Sequence, residues 1–490
     1  MSFSLGLSKE DLKVAFHLIC CVCGIGTLGM PGNFARTGPL IGSIAFVFMG
    51  YANIYATVAC SKVMLQAPRS VQSFTDLGDW CMGKTGRYLV LCSQMAVCIL
   101  TPCVFLVLGG GLLFSVFPNS FSRSVWIIFM AVSVVPICLK PTIKESAGMA
   151  FAGCAGTLVA DGIAVVMLMT GMSGHPSVPP PPFRLDQVIG AFGNLSLAFG
   201  AAIIVPSLQR EHSDPSRMPY VITVSLLFVA ALFTCLGFLG YSATGCQLSG
   251  NLLFIIFPDP VTGLTALGFK SSNGAAILSY LFMQLHISIA FTLIIHPAFF
   301  LLERLLFNLH GEAQTDIVAP ELLDQSPCYL AKSIQSDRPS YQCDEYALQK
   351  HSSRAFVAEP ITKAERIKVI LLRVTLVTLL VVIAIVFQDS LNAFMDFIGA
   401  SAISTSCITL PIVFYLKKLW RVVPIYEKVS AIAIVLVCSS LGFYVSYASG
   451  RDMLARNPHQ AKYPFCAAEF SKELYYNATA IHSSNVTMST

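Results

Sequence analysis

Two short stretches place glycine inside apolar segments, where exposed backbone groups could bind a charged small molecule. Residues 24–32 read GIGTLGMPG within the apolar segment 12–34, and Phe199-Gly200 interrupts the segment 187–208. A helix broken in this way leaves amide groups at the start of its outer half and carbonyls at the end of its inner half. The amides attract a carboxylate, and the carbonyls attract a cation or an ammonium group. An amino acid carries both charges.

The residues around the two breaks are the candidates for contact with such a molecule. The candidate substrate-binding residues are Gly24, Ile25, Gly26, Thr27 and Leu28 at the first break, and Asn194, Ser196, Phe199 and Gly200 at the second. No acidic residue is close to either break in the sequence, which favours small or medium neutral molecules over cationic ones. The structural alternative for each break is a kink or close glycine packing, both common in membrane helices.

Membrane-spanning helices must position these residues. Hydrophobic residues make up 55% of the 490-residue chain and charged residues 12%, with a mean hydropathy of +0.70, which excludes an ordinary soluble domain. A helix needs about 20 apolar residues to cross a bilayer. We therefore predict an all-α polytopic membrane protein, with about eleven transmembrane helices near residues 12–34, 40–65, 88–117, 124–140, 147–170, 187–208, 220–242, 274–306, 367–388, 392–416 and 424–448.

The basic residues predict the orientation of these helices. Lys and Arg are frequent in the short loops on the amino-terminal side, whereas the short loops opposite hold only Arg36, Arg123, Arg184 and Lys270. The positive-inside rule then places the amino-terminal side in the cytoplasm. The predicted regions are a cytoplasmic amino terminus at 1–11, a membrane domain at 12–448 with a cytoplasmic loop at 308–364, and an extracellular or lumenal tail at 449–490.

This topology has consequences for the tail and for the cysteines. Asn477 and Asn485 each begin an Asn-X-Thr sequon, so both are predicted glycosylation sites. Cys246 and Cys466 are the two cysteines that this topology places outside, so one disulfide between them is possible. Most of the other cysteines fall in the spans, where a thiol packs as a small apolar group. No second set of ligands accompanies the cysteines of the first span, so no metal site is predicted.

The two breaks lie in spans one and six, which are five spans apart. Five is an odd number, so a second copy of a five-helix unit would cross the membrane in the opposite direction. Interrupted helices at matching positions of two inverted repeats indicate a transporter's substrate site near the bilayer midplane.

With these motifs in place, the sequence resembles the amino acid/auxin permease family. The first span, GIGTLGMPGNFARTG, is similar to the family's first-helix pattern, although Ile25 stands where the family usually has Ser or Thr and Thr27 takes an aliphatic position. Four further stretches resemble the family in the same order: SFTDLGDWCMGKTGRYLV, IVPSLQREHSDPSRMP, YSATGCQLSGNLL and DFIGASAISTSCITLPIVFYL. The resemblance implies a LeuT-like fold, with a five-plus-five inverted repeat and one extra helix. It also implies secondary active transport of amino acids by alternating access around spans one and six.

The resemblance also bears on the coupling ion. Sodium-coupled members have an asparagine at the position of Cys20, whereas proton-coupled members have a histidine at the position of His17, which favours protons over sodium. Ser288 and Thr292 in span eight could still serve a LeuT-like sodium site, and Asp161 in span five could accept a proton. The structural alternatives are an interfacial position for His17 and a hydrogen-bonded packing role for Asp161.

Three other polar residues in the spans are expected to have structural roles. We expect His286 to join helices, His296 to support a helix break before Pro297, and Asp396 to lie at the membrane interface.

The sequence also limits the other classes of protein. The chain has no HExxH, P-loop or GxSxG motif and no paired carboxylates at helical spacing within a span, so we expect no enzyme activity and no cofactor besides the coupling ion. The expected partners are an amino acid and the lipid bilayer, without nucleic acid. The alternative function is an amino acid sensor that signals through loop 308–364. The expected location is the plasma membrane or a vacuolar or lysosomal membrane.

Overall fold

The computed structural model describes residues 6–139, 146–248, 250–307, 363–454 and 462–475. Within these ranges the chain is almost entirely helical, with a single isolated β-bridge between Leu264 and Lys270. The predicted glycosylation sites Asn477 and Asn485 lie outside the described residues, as does nearly all of the loop predicted at 308–364.

The described part of the first half of the chain forms nine α-helices. They are α1 (Lys9–Val22), α2 (Ile25–Thr37), α3 (Pro39–Gln66), α4 (Phe74–Met82), α5 (Lys84–Val116), α6 (Arg123–Cys138), α7 (Ser146–Gly171), α8 (Leu185–Ala198) and α9 (Val205–Glu211). The described part of the second half adds α10 (Met218–Thr244), α11 (Leu252–Ile256), α12 (Asn273–Phe307), α13 (Lys363–Phe387), α14 (Leu391–Ile398), a π-helical stretch (Gly399–Thr409), α15 (Leu410–Leu419) and α16 (Ile425–Leu454).

Capping residues fix the starts of two of these helices. Before α1, the Ser8 hydroxyl accepts a hydrogen bond from the Asp11 amide, and the Asp11 carboxylate accepts one from the Ser8 amide. Ser73 and Asp76 make the same reciprocal pair before α4. Such capping boxes satisfy amide groups that a helix start leaves without partners. The short helix α4 was not predicted as an element of its own.

The described helices confirm a multi-pass membrane protein. Eight are long and apolar enough to cross a membrane, or nine if the bent pair formed by α1 and α2 is one span. Helix α6 is apolar but shorter, and the stretch 363–419 counts once in that total although Gln388–Ser390 separates α13 from α14. The count of eleven spans and their orientation remain predictions.

The chain forms two compact units. The larger consists of the residues up to Ala298 together with those from Leu376 onward, and it contains both predicted breaks. In the smaller, Phe299–Thr375, Arg373 Nε donates to the Glu303 carboxylate at 2.7 Å, and both side chains are buried. This pairing supports two charges that would be costly to bury alone.

Close packing in the larger unit brings the interrupted spans together. Helix α2 packs against α8 and α10, and α8 packs against the π-helical stretch. Gly193 and Gly399 meet so closely that a Cβ on Gly399 would overlap the Gly193 carbonyl oxygen. Small residues allow such approaches between membrane helices.

Candidate functional site

The first break separates α1 from α2 at Cys23 and Gly24. Cys23 is extended, and Gly24 has a φ of +112°, a conformation that only glycine adopts readily. The helical axes on either side are bent by 48°. The first hydrogen bond of α2 runs from the Leu28 amide to the Gly24 carbonyl at 3.3 Å. The amides of residues 25–27 precede that bond, so they belong to the first amides of α2, which a helix start leaves without a partner within the helix.

Thr27 connects this break to α7. Its hydroxyl lies 2.8 Å from the Gly24 carbonyl oxygen and 3.3 Å from Asp161 Oδ1. Asp161 is 2% exposed, and its Oδ2 has no hydrogen bond from any residue that the structure describes. The prediction that no acidic residue lies close to the breaks is therefore wrong. Helix α7 brings the Asp161 carboxylate to α2, although the two residues are 134 positions apart in the sequence.

His286 on α12 lies against the same break. A Cβ on Gly24 would overlap His286 Nε2, so the absence of a side chain at Gly24 makes room for the ring. Nδ1 lies 3.1 Å from the Gly153 carbonyl oxygen on α7, which confirms the expected role in joining helices. A carbonyl only accepts hydrogen bonds, so Nδ1 carries the proton of this bond, and Nε2 faces the break.

The second break follows α8. Phe199 and Gly200 leave the α-helix, and Ala202–Ile204 form a short 3₁₀ turn before α9 begins at Val205. The Phe199 ring is fully buried, with its centroid 5.6 Å from that of Phe46 and 5.0 Å from that of Phe233. Phe199 therefore packs within an aromatic cluster.

The two breaks adjoin each other. A Cβ on Gly26 would lie 3.1 Å from the Cα of Ala198 and 3.1 Å from the ring of Phe233. On the other side of the first break, the Cys21 thiol donates to the Gly200 carbonyl at 3.7 Å. The glycines at the first break thus allow its backbone to lie directly against the end of α8.

Asn194 and Ser196 add polar groups one turn before the second break. Asn33 Nδ2 donates to Asn194 Oδ1 at 2.9 Å, which ties α2 to α8. The Ser196 hydroxyl is buried and makes no hydrogen bond within the described ranges. Leu28, the remaining candidate at the first break, is buried at 1% exposure.

The other ion-coupling candidates bond to their own helices. His17 Nδ1 lies 2.8 Å from the Lys13 carbonyl oxygen, one turn earlier on α1. On α12, the hydroxyls of Ser288 and Thr292 donate to backbone carbonyls within the same helix. Among the four candidates, Asp161 is the one that the described contacts join directly to the first break.

A cavity of about 1770 Å³ opens beside the outer ends of the spans. The outer side is the one that the distribution of Lys and Arg predicts to be extracellular or lumenal. Its wall includes Gly29, Asn33 and Asn194, so it reaches the helices that carry the breaks. Arg36 and Asp396 also line it, with Arg36 Nη1 2.9 Å from Asp396 Oδ2. The interfacial position expected for Asp396 remains a prediction. Its side chain is buried at an ion pair between α2 and α14, a partner that hydropathy along one span does not reveal.

At the amino-terminal end of α1, opposite the first break, the buried Asp11 accepts hydrogen bonds from several donors. Arg217 Nη2 lies 2.7 Å from Asp11 Oδ2, and His212 Nε2 lies 3.1 Å from Oδ1. His212 Nδ1 accepts from the Asp214 amide at 3.0 Å, so Nε2 is the nitrogen that donates to Asp11. Sequence reasoning missed this cluster, and its signal is the polar run REHSDPSR that follows the second break.

Comparison with known proteins identifies the family. A family model described as transmembrane amino acid transporter protein matches residues 10–450. This chain belongs to that family. Among its relatives, amino acid transporter AVT1D of Arabidopsis thaliana is 21% identical, over 57% of this chain and 55% of the relative. Vacuolar amino acid transporter 7 of Saccharomyces cerevisiae is 24% identical, over 52% of this chain and 54% of the relative. The chain thus spans about half the length of these relatives, which are named as transporters and not as enzymes.

A solved structure supports the fold of this family member. An Eremococcus coleocola manganese transporter has a TM-score of 0.54 and 11% sequence identity, and the match covers 99% of this chain and 94% of that one. Sequence identity this low supports a shared fold and nothing further. The fold class, a helical multi-pass membrane protein of the LeuT-like type, is confirmed.

Proposed function

We propose that the protein is a secondary active transporter of small or medium neutral amino acids, driven by protons more than by sodium. The observation that carries this proposal is the first break, where the first amides of α2, the Asp161 carboxylate and the end of α8 meet. Membership of a family of amino acid transporters supports the chemical class of the substrate.

The amides of residues 25–27 bind the substrate carboxylate in this proposal. They begin α2, and the partial positive charge of a helix start favours an anion there. Ser196, with a buried hydroxyl that has no partner among the described residues, supplies a polar contact beside them. Thr27 and Asn194 complete the polar wall. With Asp161 protonated, the polar groups at the break are all neutral, which suits a substrate whose side chain carries no charge.

Asp161 accepts the coupling proton in this proposal. It is almost fully buried, the Thr27 hydroxyl lies 3.3 Å from one carboxylate oxygen, and the other oxygen has no hydrogen bond from a described residue. A charged carboxylate in such surroundings is costly, whereas a protonated one is not. The Cys23 thiol at the break interacts electrostatically with Asp161. Proton uptake at Asp161 would therefore change the charge next to the amides that bind the substrate.

Alternating access around the two breaks completes the cycle. The outer cavity reaches α2 and α8, while the Asp11 cluster holds the amino-terminal end of α1. This combination suits a state in which the cytoplasmic side is closed and the Arg36–Asp396 pair already joins the outer ends of α2 and α14. Release to the cytoplasm then requires Asp11 to leave Arg217 and His212. The bond between Cys246 and Cys466 supports the predicted outside position of the tail, since disulfides persist in oxidising compartments.

Counterflow in proteoliposomes tests this function. Purified protein is reconstituted with internal alanine, leucine, glutamine or lysine, and entry of the same labelled amino acid is followed. We expect counterflow with the neutral amino acids and little with lysine. A carboxyl-blocked analogue, such as alanine amide, should compete poorly. If the amide competed as well as alanine, carboxylate binding by the break would be wrong. Counterflow with none of the four, from protein that is folded, would contradict transport itself.

Imposed gradients test the coupling ion. We expect accumulation under an inward proton gradient that sodium replacement leaves nearly unchanged. Ser288→Ala serves as the matched sodium-site control and should leave accumulation intact, and His17→Ala tests the sequence-derived alternative. Accumulation that follows sodium, ignores pH and is lost in Ser288→Ala would refute proton coupling. A Gly26→Val variant should lose uptake without losing expression, because its side chain would strike Ala198 and Phe233.

A further inference from the structure

The tail segment 462–475 is fastened beside the outer cavity. Cys466 is joined by a disulfide to Cys246, in the turn that follows α10. The Tyr463 hydroxyl donates to the Ala266 carbonyl at 2.6 Å. A covalent bond and a hydrogen bond therefore hold this segment against the region between α10 and α12.

Phe465, next to the bridged cysteine, connects this segment to α2. Its ring lines the cavity, and Arg36 Cζ lies 5.8 Å from the ring centroid. A guanidinium within about 6 Å of an aromatic centroid gains a favourable cation–π interaction. Arg36 Nε is buried without a hydrogen-bond partner among the described residues, and Nη1 is the nitrogen that bonds to Asp396. The guanidinium is thus held between an aromatic ring and a carboxylate.

We infer that Phe465 is a positioning residue for the Arg36–Asp396 pair, and that the Cys246–Cys466 disulfide keeps it in place. The pair joins α2, which carries the first break, to α14. Its formation draws the outer ends of these helices together. The tail segment is then part of the transport machinery, because it favours the paired state. This inference rests on the proposed transport function.

The expected effect follows from the strength of one cation–π contact. Phe465→Ala should weaken the pairing equilibrium by about two- to fivefold. Substrate would then dissociate to the outside more readily before the pair forms, so KM should rise by a similar factor while the maximal rate changes little. Phe465→Trp should restore the wild-type KM, since tryptophan is the best aromatic partner for a guanidinium.

Phe470→Ala is the matched control. Phe470 belongs to the same segment and packs beside the disulfide, with its ring centroid 5.1 Å from that of Tyr475. Unlike Phe465, it does not line the cavity. Both variants lose one phenylalanine ring from the tail segment. A KM that rises in Phe465→Ala and stays unchanged in Phe470→Ala supports the inference, and equal KM values in the two variants overturn it.

Reduction of the disulfide tests the same device without mutation. External dithiothreitol should give the wild-type protein the KM of Phe465→Ala, and it should add little to Phe465→Ala itself. Cys246→Ser combined with Cys466→Ser controls for other effects of the reductant. A reductant effect that is as large in Phe465→Ala as in the wild type would overturn the inference.

A double-mutant cycle separates this inference from the proposed function. Unfolding of Phe465→Ala, Arg36→Ala and the double variant is followed in detergent, independently of transport. We expect a coupling of about two- to fivefold in the unfolding equilibrium constant. Additive effects would overturn the contact, even in a protein that transports alanine. Coupling without counterflow would refute the transport function and leave the contact standing.

Discussion

Gly24 is a position where a single methyl group should be costly for two reasons at once. Its φ of +112° is a conformation that a residue with a side chain occupies at a cost of about 1–3 kcal/mol. A Cβ would also overlap His286 Nε2, and overpacking of a buried site costs about 1–3 kcal/mol more. We therefore expect Gly24→Ala to lower the free energy of unfolding by about 2–6 kcal/mol.

Two further variants separate the two penalties. Gly174 has a φ of +80° and nothing within 4 Å of the position of its Cβ, so Gly174→Ala measures backbone strain alone. His286→Ala removes the ring that a methyl group at position 24 would strike. The double variant Gly24→Ala with His286→Ala should then be more stable than the sum of the single effects predicts, by about 1–3 kcal/mol.

Unfolding of the four variants by sodium dodecyl sulfate in mixed micelles, followed by circular dichroism, measures these differences. The reasoning fails if Gly24→Ala is no less stable than Gly174→Ala. It also fails if the effects of Gly24→Ala and His286→Ala are additive, because the ring would then not be the obstacle.

Three other predictions follow from the site and the topology. Asp161→Asn cannot release a proton, so uptake should lose its rise with falling external pH; a retained pH profile would exclude this carboxylate. Arg217→Ala should free the amino-terminal end of α1, so the buried Cys20 thiol should react faster with N-ethylmaleimide, as measured by peptide mass spectrometry. Unchanged labelling would contradict the holding role of Arg217. Glycosidase should shift the electrophoretic mobility of the wild-type protein but not of a variant with Asn477→Gln and Asn485→Gln.

The helix breaks were predictable because their signals are local. Glycines at 24 and 26 in an apolar segment favour an interruption of the helix, and the same holds for Gly200 after Phe199. The spans were predictable for a similar reason, since the length of an apolar run reflects the thickness of a bilayer. The predicted topology alone showed that a disulfide between Cys246 and Cys466 is possible, and the structure contains this disulfide.

The partners of the breaks were not predictable, because they come from distant parts of the chain. Asp161 reaches Thr27 across 134 positions, and His286 fits against a glycine more than 260 positions away. Periodicity in one span cannot show which side chain of another span will face it. The π-helical stretch at Gly399–Thr409 is a further example, since its widened turns accompany close packing against α8.

The bond between Cys246 and Cys466 also has a consequence for biosynthesis. The two cysteines are 220 residues apart, and the second follows α16, the last of the described α-helices. On a chain made from its amino terminus, Cys246 must wait with a free thiol until every later helix has been synthesised. Closure of this bond therefore marks a molecule whose membrane domain is complete, and a prematurely terminated chain would keep an exposed thiol that a cell's quality-control machinery could recognise.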